Sequence, residues 1–318
     1  MMSKKKIEGK SRITKMIKNK LEPKVSIRKL EEMAANGHVA LNVMQYDGWL
    51  LRFSNGYTFR ANSVSILYAP IVDAKREGER SASGDVGSFV ACGTESGKLV
   101  EKVEFCEKQY KKQGLPCVFK VTEEDRAFSD FLESRGYEVI TPSYIMVLND
   151  LALATPTELA SDALQACSEL SPFAENETSS QQSYPGEIQF WETPAEWLPS
   201  YFKIHEITDF RDQKTFREML DKVLVDTIYC SLSYKGKVAA CASAAIEDGY
   251  MLLQNVIVSK EFRGHGLGEK ICRSIIAKAG ENGAHHAYLQ VLQTNDIALN
   301  LYEKIGFQKV YSYWYMKK

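Results

Sequence analysis

Between Gly249 and Gly283 the chain passes from a near-continuous apolar stretch, GYMLLQNVIVS, through Arg263-Gly264-His265-Gly266-Leu267-Gly268, into LGEKICRSIIAKAGENG. An apolar run of this kind reads as a strand buried on both faces. Beyond the glycines, Leu267, Ile271, Ile275, Ile276 and Ala279 recur at helical spacing, and Gly280 and Gly283 lie near the expected helix end. The three glycines therefore fall on a strand-to-helix turn. N–H groups at a helix start have no partner within the helix, and the dipole adds about half a positive charge there. Without β-carbons those amides are open to the oxygens of an anion. The alternative is that the glycines serve only a tight turn.

Spacing excludes two common phosphate-binding designs. A dinucleotide fingerprint needs its third glycine at 269, where Glu269 stands, and only fifty residues follow the loop. CGTESGKL at Cys92 lacks the first glycine of a Walker loop and the Ser/Thr after Lys98.

The 318 residues suggest two domains, and 44% apolar with 25% charged content is that of an ordinary soluble protein. No apolar run reaches the roughly 18 residues of a membrane span, and the start has no secretory-signal pattern. Seven scattered cysteines without a CxxC pair suggest reduced thiols, a cytoplasmic setting and no zinc. Residues 1–24 carry nine basic residues against Glu8 and Glu22, a net of +7 that leaves −8 on the remainder of a chain of net −1. Ile13, Met16, Ile17 and Leu21 could make this segment an amphipathic helix touching RNA, anionic lipid or protein; otherwise it is a solvated tail. An acidic body argues against nucleic acid as the main partner.

Composition changes again over 155–186, where SPFAENETSSQQSYPG reads as a linker preceded by a short helix through Leu159, Ala163, Leu164, Cys167 and Leu170. The flanking halves resemble each other. Shifted by 170 residues without a gap, Val121 meets Val291, Glu133 meets Glu303, Gly136 meets Gly306 and Tyr137 meets Phe307. Both stretches predict a strand, a short helix, a glycine stop and another strand. Hairpins are expected at Asn55-Gly56 and Lys235-Gly236. The expected organisation is a basic tail over 1–25, one domain over 26–154, a linker over 155–186 and a second domain over 187–318.

The apolar strand followed by Arg263-Gly264-His265-Gly266-Leu267-Gly268 resembles the Q/R-x-x-G-x-G/A signature of the GNAT superfamily of acyl-CoA-dependent N-acetyltransferases. NDIALNLYEKIGF, Asn295 to Phe307, is similar to that family's second signature, at the family's interval. The resemblance covers roughly 187–318, whereas the N-terminal half resembles only the later portion and lacks the glycines. It implies an α/β (α+β) protein of two such domains, each a mixed, mostly antiparallel twisted sheet flanked by helices, with the first half degenerate. The anion then becomes the pyrophosphate of acetyl-CoA. The strand holding Val256, Ile257 and Val258 is implied to splay from its neighbour, bind the pantetheine arm and aim an N–H at the thioester carbonyl, as an oxyanion hole does.

On a helix starting near Asn295, positions 295, 298, 299 and 302 share a face, so Asn295, Ala298 and Tyr302 are expected to look one way and Ile297, Leu301 and Ile305 towards the core. By the resemblance, Ala298 leaves room for the pantetheine and Tyr302 hydrogen-bonds or protonates the departing thiolate. Leu132 takes that position in the first half, with Asp125 opposite Asn295, so no second catalytic centre is expected there. A base is harder to assign. An alkyl amine is neutral in only about one molecule in 2,500 at pH 7, and where some family members carry a strand glutamate this chain has Leu252, Leu253 and Gln254. His205, Glu206, Asp209, Asp212, Glu247 and Asp248 are candidates lying in polar loops. His265 could add charge beside a phosphate or simply be exposed, and adjacent His285 and His286 point to opposite faces, against joint metal binding. The expected function is acetyl transfer from acetyl-CoA to the primary amine of a small molecule or peptide, by direct attack in a ternary complex. The alternative is a non-catalytic acyl-CoA sensor or interaction protein.

Overall fold

The computed structural model describes residues 25–68, 93–154 and 186–318. The basic tail, the expected linker and its short helix lie outside these residues. Seven α-helices and eleven strands are described: α1 (Ile27–Gly37), β1 (Asn42–Tyr46), β2 (Trp49–Phe53), β3 (Val64–Ile66), α2 (Gly93–Lys112), β4 (Val118–Thr122), α3 (Arg126–Ser134) and β5 (Glu138–Leu148) in the first half. The second half holds β6 (Glu187–Trp191), α4 (Pro194–His205), α5 (Phe210–Leu220), β7 (Asp226–Tyr234), β8 (Lys237–Glu247), β9 (Tyr250–Val258), α6 (Leu267–Glu281), β10 (His286–Leu292), α7 (Asp296–Ile305) and β11 (Gln308–Lys317). The result is the expected mixed α/β architecture. CGTESGKL enters α2 from its second residue, so it forms no phosphate loop.

All eleven strands form one sheet in the order β1-β2-β3-β4-β11-β5-β10-β9-β8-β7-β6. The last strands of the two halves have changed places: β5 lies against β10, and β11 lies against β4. The 170-residue shift relates the two junctions pair for pair. Phe119 faces Met316 while Leu289 faces Met146, and Val118 faces Lys317 while Tyr288 faces Val147. At the centre Ser143 pairs with Tyr313, its own counterpart under the shift. A chance likeness of sequence would not reproduce ladder register, so the internal repeat has a structural counterpart.

Period-two alternation on the central strands sorts side chains to two faces. Met146, Leu148, Met251, Leu253 and Leu289 pack under α6, whose Leu267, Ile271, Ile275, Ile276 and Ala279 are buried as their spacing predicts. Ile145, Val147, Leu252, Tyr288, Tyr311, Tyr313 and Tyr315 face the other way, against Leu30 and Met33 of α1. The first half has its own core of Trp49, Leu51, Val103, Tyr110, Phe119, Phe128 and Leu132.

The Lys235-Gly236 hairpin forms, with Tyr234 facing Lys237 and both turn residues at positive φ. The one expected at Asn55-Gly56 does not. β2 and β3 pair across a longer loop containing a 3₁₀ turn at Phe59–Ala61, whose backbone is held by Asn62: Oδ1 accepts from the Ser54 and Gly56 amides, and Nδ2 donates to the Thr58 carbonyl. The tight turn is Asp47-Gly48, at φ 44° and 79°, joining β1 to β2. Among the described residues, no helix is long and apolar enough to cross a membrane.

Candidate functional site

At the start of α6 the cap residue is Gly266, at φ 73°, and it offers no side chain to the helix amides. Other helices of this chain close that end with an oxygen: Asp209 Oδ1 takes the Arg211 and Asp212 amides of α5, and Asn295 Oδ1 takes the Ala298 amide of α7. The first intrahelical bond of α6 runs from the Lys270 amide to the Gly266 carbonyl at 3.1 Å. The amides just before it therefore face outward, beside a chain that turns through Gly264 at φ 81°. Arg263, Gly264, His265 and Gly266 are exposed, while Leu267 anchors the turn in the core. His265 turns Nδ1 towards the Arg263 carbonyl at 3.0 Å and packs its ring beside Tyr234.

Glu269, which breaks the dinucleotide spacing, has a structural role. It is 5% exposed and pairs with Arg273 at 3.0 Å within α6 and with Lys304 of α7 at 2.5 Å. That bridge ties the two helices that carry the two sequence signatures. Gly268 lies where they meet, and a Cβ there would come within 3.3 Å of Leu301 and 3.5 Å of Val258.

β9 and β10 run parallel and pair only from Tyr250–His286 to Leu253–Leu289. Past that point β10 stays on β5 while β9 stays on β8, so an opening develops between them. Asn255 causes part of this turn. It adopts φ 56°, donates from Nδ2 to Ser243 Oγ at 2.7 Å, and marks a register shift on β8. Val256, Ile257 and Val258 follow, half-buried, with no ladder partner on the β10 side. The splay expected of this strand is thus present.

On α7 the structure changes the sequence expectation. Leu299, Tyr302 and Ile305 are buried, Ala298 is partly exposed, and Ile297 is 80% exposed rather than facing the core. The helix begins at Asp296, so Ile297 lies in its first turn on the outer side, away from the 299–302–305 stripe. Tyr302 packs in the α6 core near Cys272, its ring edge-on to Phe307 at 5.9 Å. Burial, with Cys272 adding to it, pushes the phenol well above its ordinary range. A hydroxyl held there keeps its proton at neutral pH, so it can donate and cannot act as a base.

Four of the five carboxylates considered as bases are engaged elsewhere. Glu206 pairs with Lys260 at 2.5 Å, Asp209 caps α5, Glu247 receives Asn36 at 3.0 Å, and Asp248 pairs with Lys29 at 2.5 Å. Asp212 lies in the first turn of α5, and His205 packs against Tyr201. Gln254, at the mouth of the splay, is buried and donates to the Gly37 carbonyl at 2.9 Å. His285 and His286 diverge, His286 turning its Nδ1 to the Asn149 carbonyl at 2.6 Å. Among the described residues no group of three or more His, Cys, Asp or Glu could hold a metal ion.

Sequence reasoning missed the polar groups that the first half and β11 bring to the same sheet face. Glu31 of α1 binds Lys120 of β4 and accepts from the Tyr311 hydroxyl at 2.8 Å. Arg52 donates to the carbonyls of His38 and Arg60. The signal was present in YSYWY, whose alternation sends Tyr311, Tyr313 and Tyr315 to one side.

Residues 190–307 match the family model described as Acetyltransferase (GNAT) family, and residues 25–76 match one described as Probable histone acetyltransferase Rv0428c C-terminal. The Uncharacterized N-acetyltransferase YobR of Bacillus subtilis is 25% identical over 293 residues, 92% of this chain and 98% of its own. A GCN5-related N-acetyltransferase from Kribbella flavida has the same fold at 12% identity and TM-score 0.60, covering 93% of this chain and 96% of that one. A functionally unknown conserved protein from Staphylococcus epidermidis shares it at 11% identity and TM-score 0.56, over 87% and 93% of the two chains.

Proposed function

From the premise that residues 190–307 form a GNAT acetyltransferase domain, we propose that this protein carries an acetyl group from acetyl-CoA to a primary amine, by direct attack within a ternary complex. The observation that carries the reading is the pairing of an uncapped, glycine-turned helix start with a splayed strand beside it. The pyrophosphate would rest on the outward amides around Gly266, Leu267 and Gly268, reached by Gly264 and His265, with Arg263 supplying charge. The pantetheine arm would lie along Val256, Ile257 and Val258, passing Asn295 and Ala298, and one strand N–H would polarise the thioester carbonyl.

The neutral amine nitrogen attacks that carbonyl carbon, the C–S bond breaks, the thiolate leaves with the sulfur electron pair, and the proton that nitrogen sheds as the amide forms ends on that thiolate, directly or through water. Tyr302 would donate to that sulfur, the role open to a phenol that keeps its proton. The ammonium proton must leave before attack. With no carboxylate on β9, that proton passes to water or is shed as the amine enters the site. On this reading the first half carries no second catalytic centre, because the position matching Tyr302 is Leu132, which is buried and has no proton to give.

Calorimetry with acetyl-CoA and release of free thiol in the presence of a panel of amines test the reading together. Saturable binding with amine-dependent thiol release is expected. Absence of binding at millimolar acetyl-CoA would remove the cradle, and binding without thiol release from any amine would leave a sensor instead of an enzyme.

A further inference from the structure

Nothing in the proposed transfer uses the carboxylate of Glu269, yet it is withdrawn from water beside the cradle. Its amide is the last before the first intrahelical bond of α6, so its backbone belongs to the cradle while its side chain turns inward, 5% exposed. Both oxygens are taken by cations. Oε1 accepts from Nε and Nη2 of Arg273, each at 3.0 Å, and Oε2 accepts from Lys304 Nζ at 2.5 Å. Nη1 of Arg273 donates to the Ala154 carbonyl at 2.7 Å, and Ala154 is fully buried at the end of the first half. One carboxylate therefore joins the helix of the cradle, the helix of Tyr302 and the chain that follows β5.

Such a network is a poor source of stability. Taking its charges from water costs about as much as their attraction returns, and apolar side chains of like volume often do as well. What it supplies is direction. α7 also packs on α6 through Leu299, Tyr302 and Ile305, with Leu301 over Gly268. Apolar burial scales with area and has no preferred direction, so it sets the spacing of two helices less sharply than a guanidinium fork and an ammonium on one carboxylate. Lys304 lies two residues beyond Tyr302 on a helix of ten residues that begins beside Asn295 and includes Ala298. A helix pinned at Lys304 places all three of those residues at once.

We propose that Glu269 is a positioning residue: through Lys304 it sets the spacing of Tyr302 from the amide cradle, so that one extended coenzyme meets both. The inference rests on the acetyltransferase reading. The Glu269 side chain touches neither coenzyme nor amine and acts through Tyr302. Arg273 holds the carboxylate in place and ties it to the end of the first half, so the half without catalytic groups steadies the site of the other.

The test uses the full chain, thiol release for kcat and calorimetry for binding. Glu269→Gln and Lys304→Met should each lower kcat about tenfold, within what loss of the Tyr302 hydroxyl itself costs. Together they should cost no more than the larger alone, because they break one bridge. Lys304→Arg should recover most of what Lys304→Met loses. In the Tyr302→Phe chain, either substitution should change kcat by less than about twofold, since its route to the sulfur is already gone. Two probes divide the binding: acetyl-CoA, and adenosine 3′-phosphate 5′-diphosphate, which has the diphosphate without the pantetheine arm. Glu269→Gln should bind the nucleotide at least as tightly as the parent does, while the advantage of acetyl-CoA over it shrinks by roughly threefold or more. Lys304 is 58% exposed, so Lys304→Met carries the test if Glu269→Gln fails to fold. A lowered melting temperature with kcat unchanged would reduce Glu269 to a structural part. Full loss of kcat again in the Tyr302→Phe chain, or equal weakening of both probes, would overturn the positioning role. Should the parent release no thiol with any amine, the transfer reading falls, and the comparison of the two probes still decides the spacing.

Discussion

Tyr302 and Gly266 make opposite demands on their surroundings. Tyr302 is nearly enclosed, burial holds the proton on its hydroxyl, and the proposed reaction would use that hydroxyl as a hydrogen-bond donor. Tyr302→Phe keeps the ring in the α6–α7 core and removes only that donor. It is expected to lower kcat by roughly tenfold to a hundredfold, the range for a lost hydrogen bond to a charged group, with little change in the KM for acetyl-CoA. Steady-state kinetics at saturating amine check it, and an unchanged kcat would leave the tyrosine as packing alone. Gly266 is exposed and left-handed, which costs a residue with a β-carbon about 1–2 kcal/mol. Gly266→Val therefore strains the turn and shields the amides beside it. A raised acetyl-CoA KM, with a melting temperature lowered by a few degrees, is the expected result.

Elements follow local chemistry closely where a single rule dominates. The burial of α6, the Lys235-Gly236 hairpin and the glycine stop at Gly306, φ 115°, could all be read from spacing and turn residues. The Asn55-Gly56 misreading shows where a rule loses. That dipeptide does take positive φ, but Asn62 gathers the following backbone into a longer loop, an effect of a residue six positions on. Ile297 fails for a similar reason, since the face a helix shows to the core depends on where it docks. The loop that replaces the hairpin is the one that carries Arg60. At its base His38 closes α1 and is buried near Arg60 and Arg52, and burial first, then those cations, hold its imidazole well below the usual range. An unfolded histidine takes up a proton below about pH 6.5, whereas the folded one does not until far lower. The unfolded state therefore binds more protons in that window, and stability present above pH 6.5 is lost as pH falls. Urea midpoints measured from pH 8 to 5 should decline, and His38→Asn should flatten the decline. An unchanged slope in the variant would assign the acid sensitivity to other groups.

At the scale of the whole molecule, the exchange of β5 and β11 was the feature least visible in advance. The 170-residue likeness predicts the same strand in each half but cannot say which half's sheet it joins, because the two strands are equivalent in pattern. Register decides it: Tyr313 faces Ser143, and each half is completed by the other's last strand. The catalytic reading depends on this, since β5 supports β10 beyond the point where β9 leaves. The exchange also makes halves poor independent units. Losing β11 strips Tyr311, Tyr313, Tyr315 and Met316 from burial, each at most 3% exposed. At about 1.5–3 kcal/mol per side chain, that is as large as the stability of an ordinary domain. Residues 1–154 and 186–318, made separately, should each show little protected amide hydrogen on exchange. Mixed from denaturant, they should recover protection together in β4, β5, β10 and β11, and the intact chain should melt in one transition instead of two. Independent protection of either half, at the level of the intact chain, would mean that the shared strands are dispensable and that the sheet is two sheets in contact.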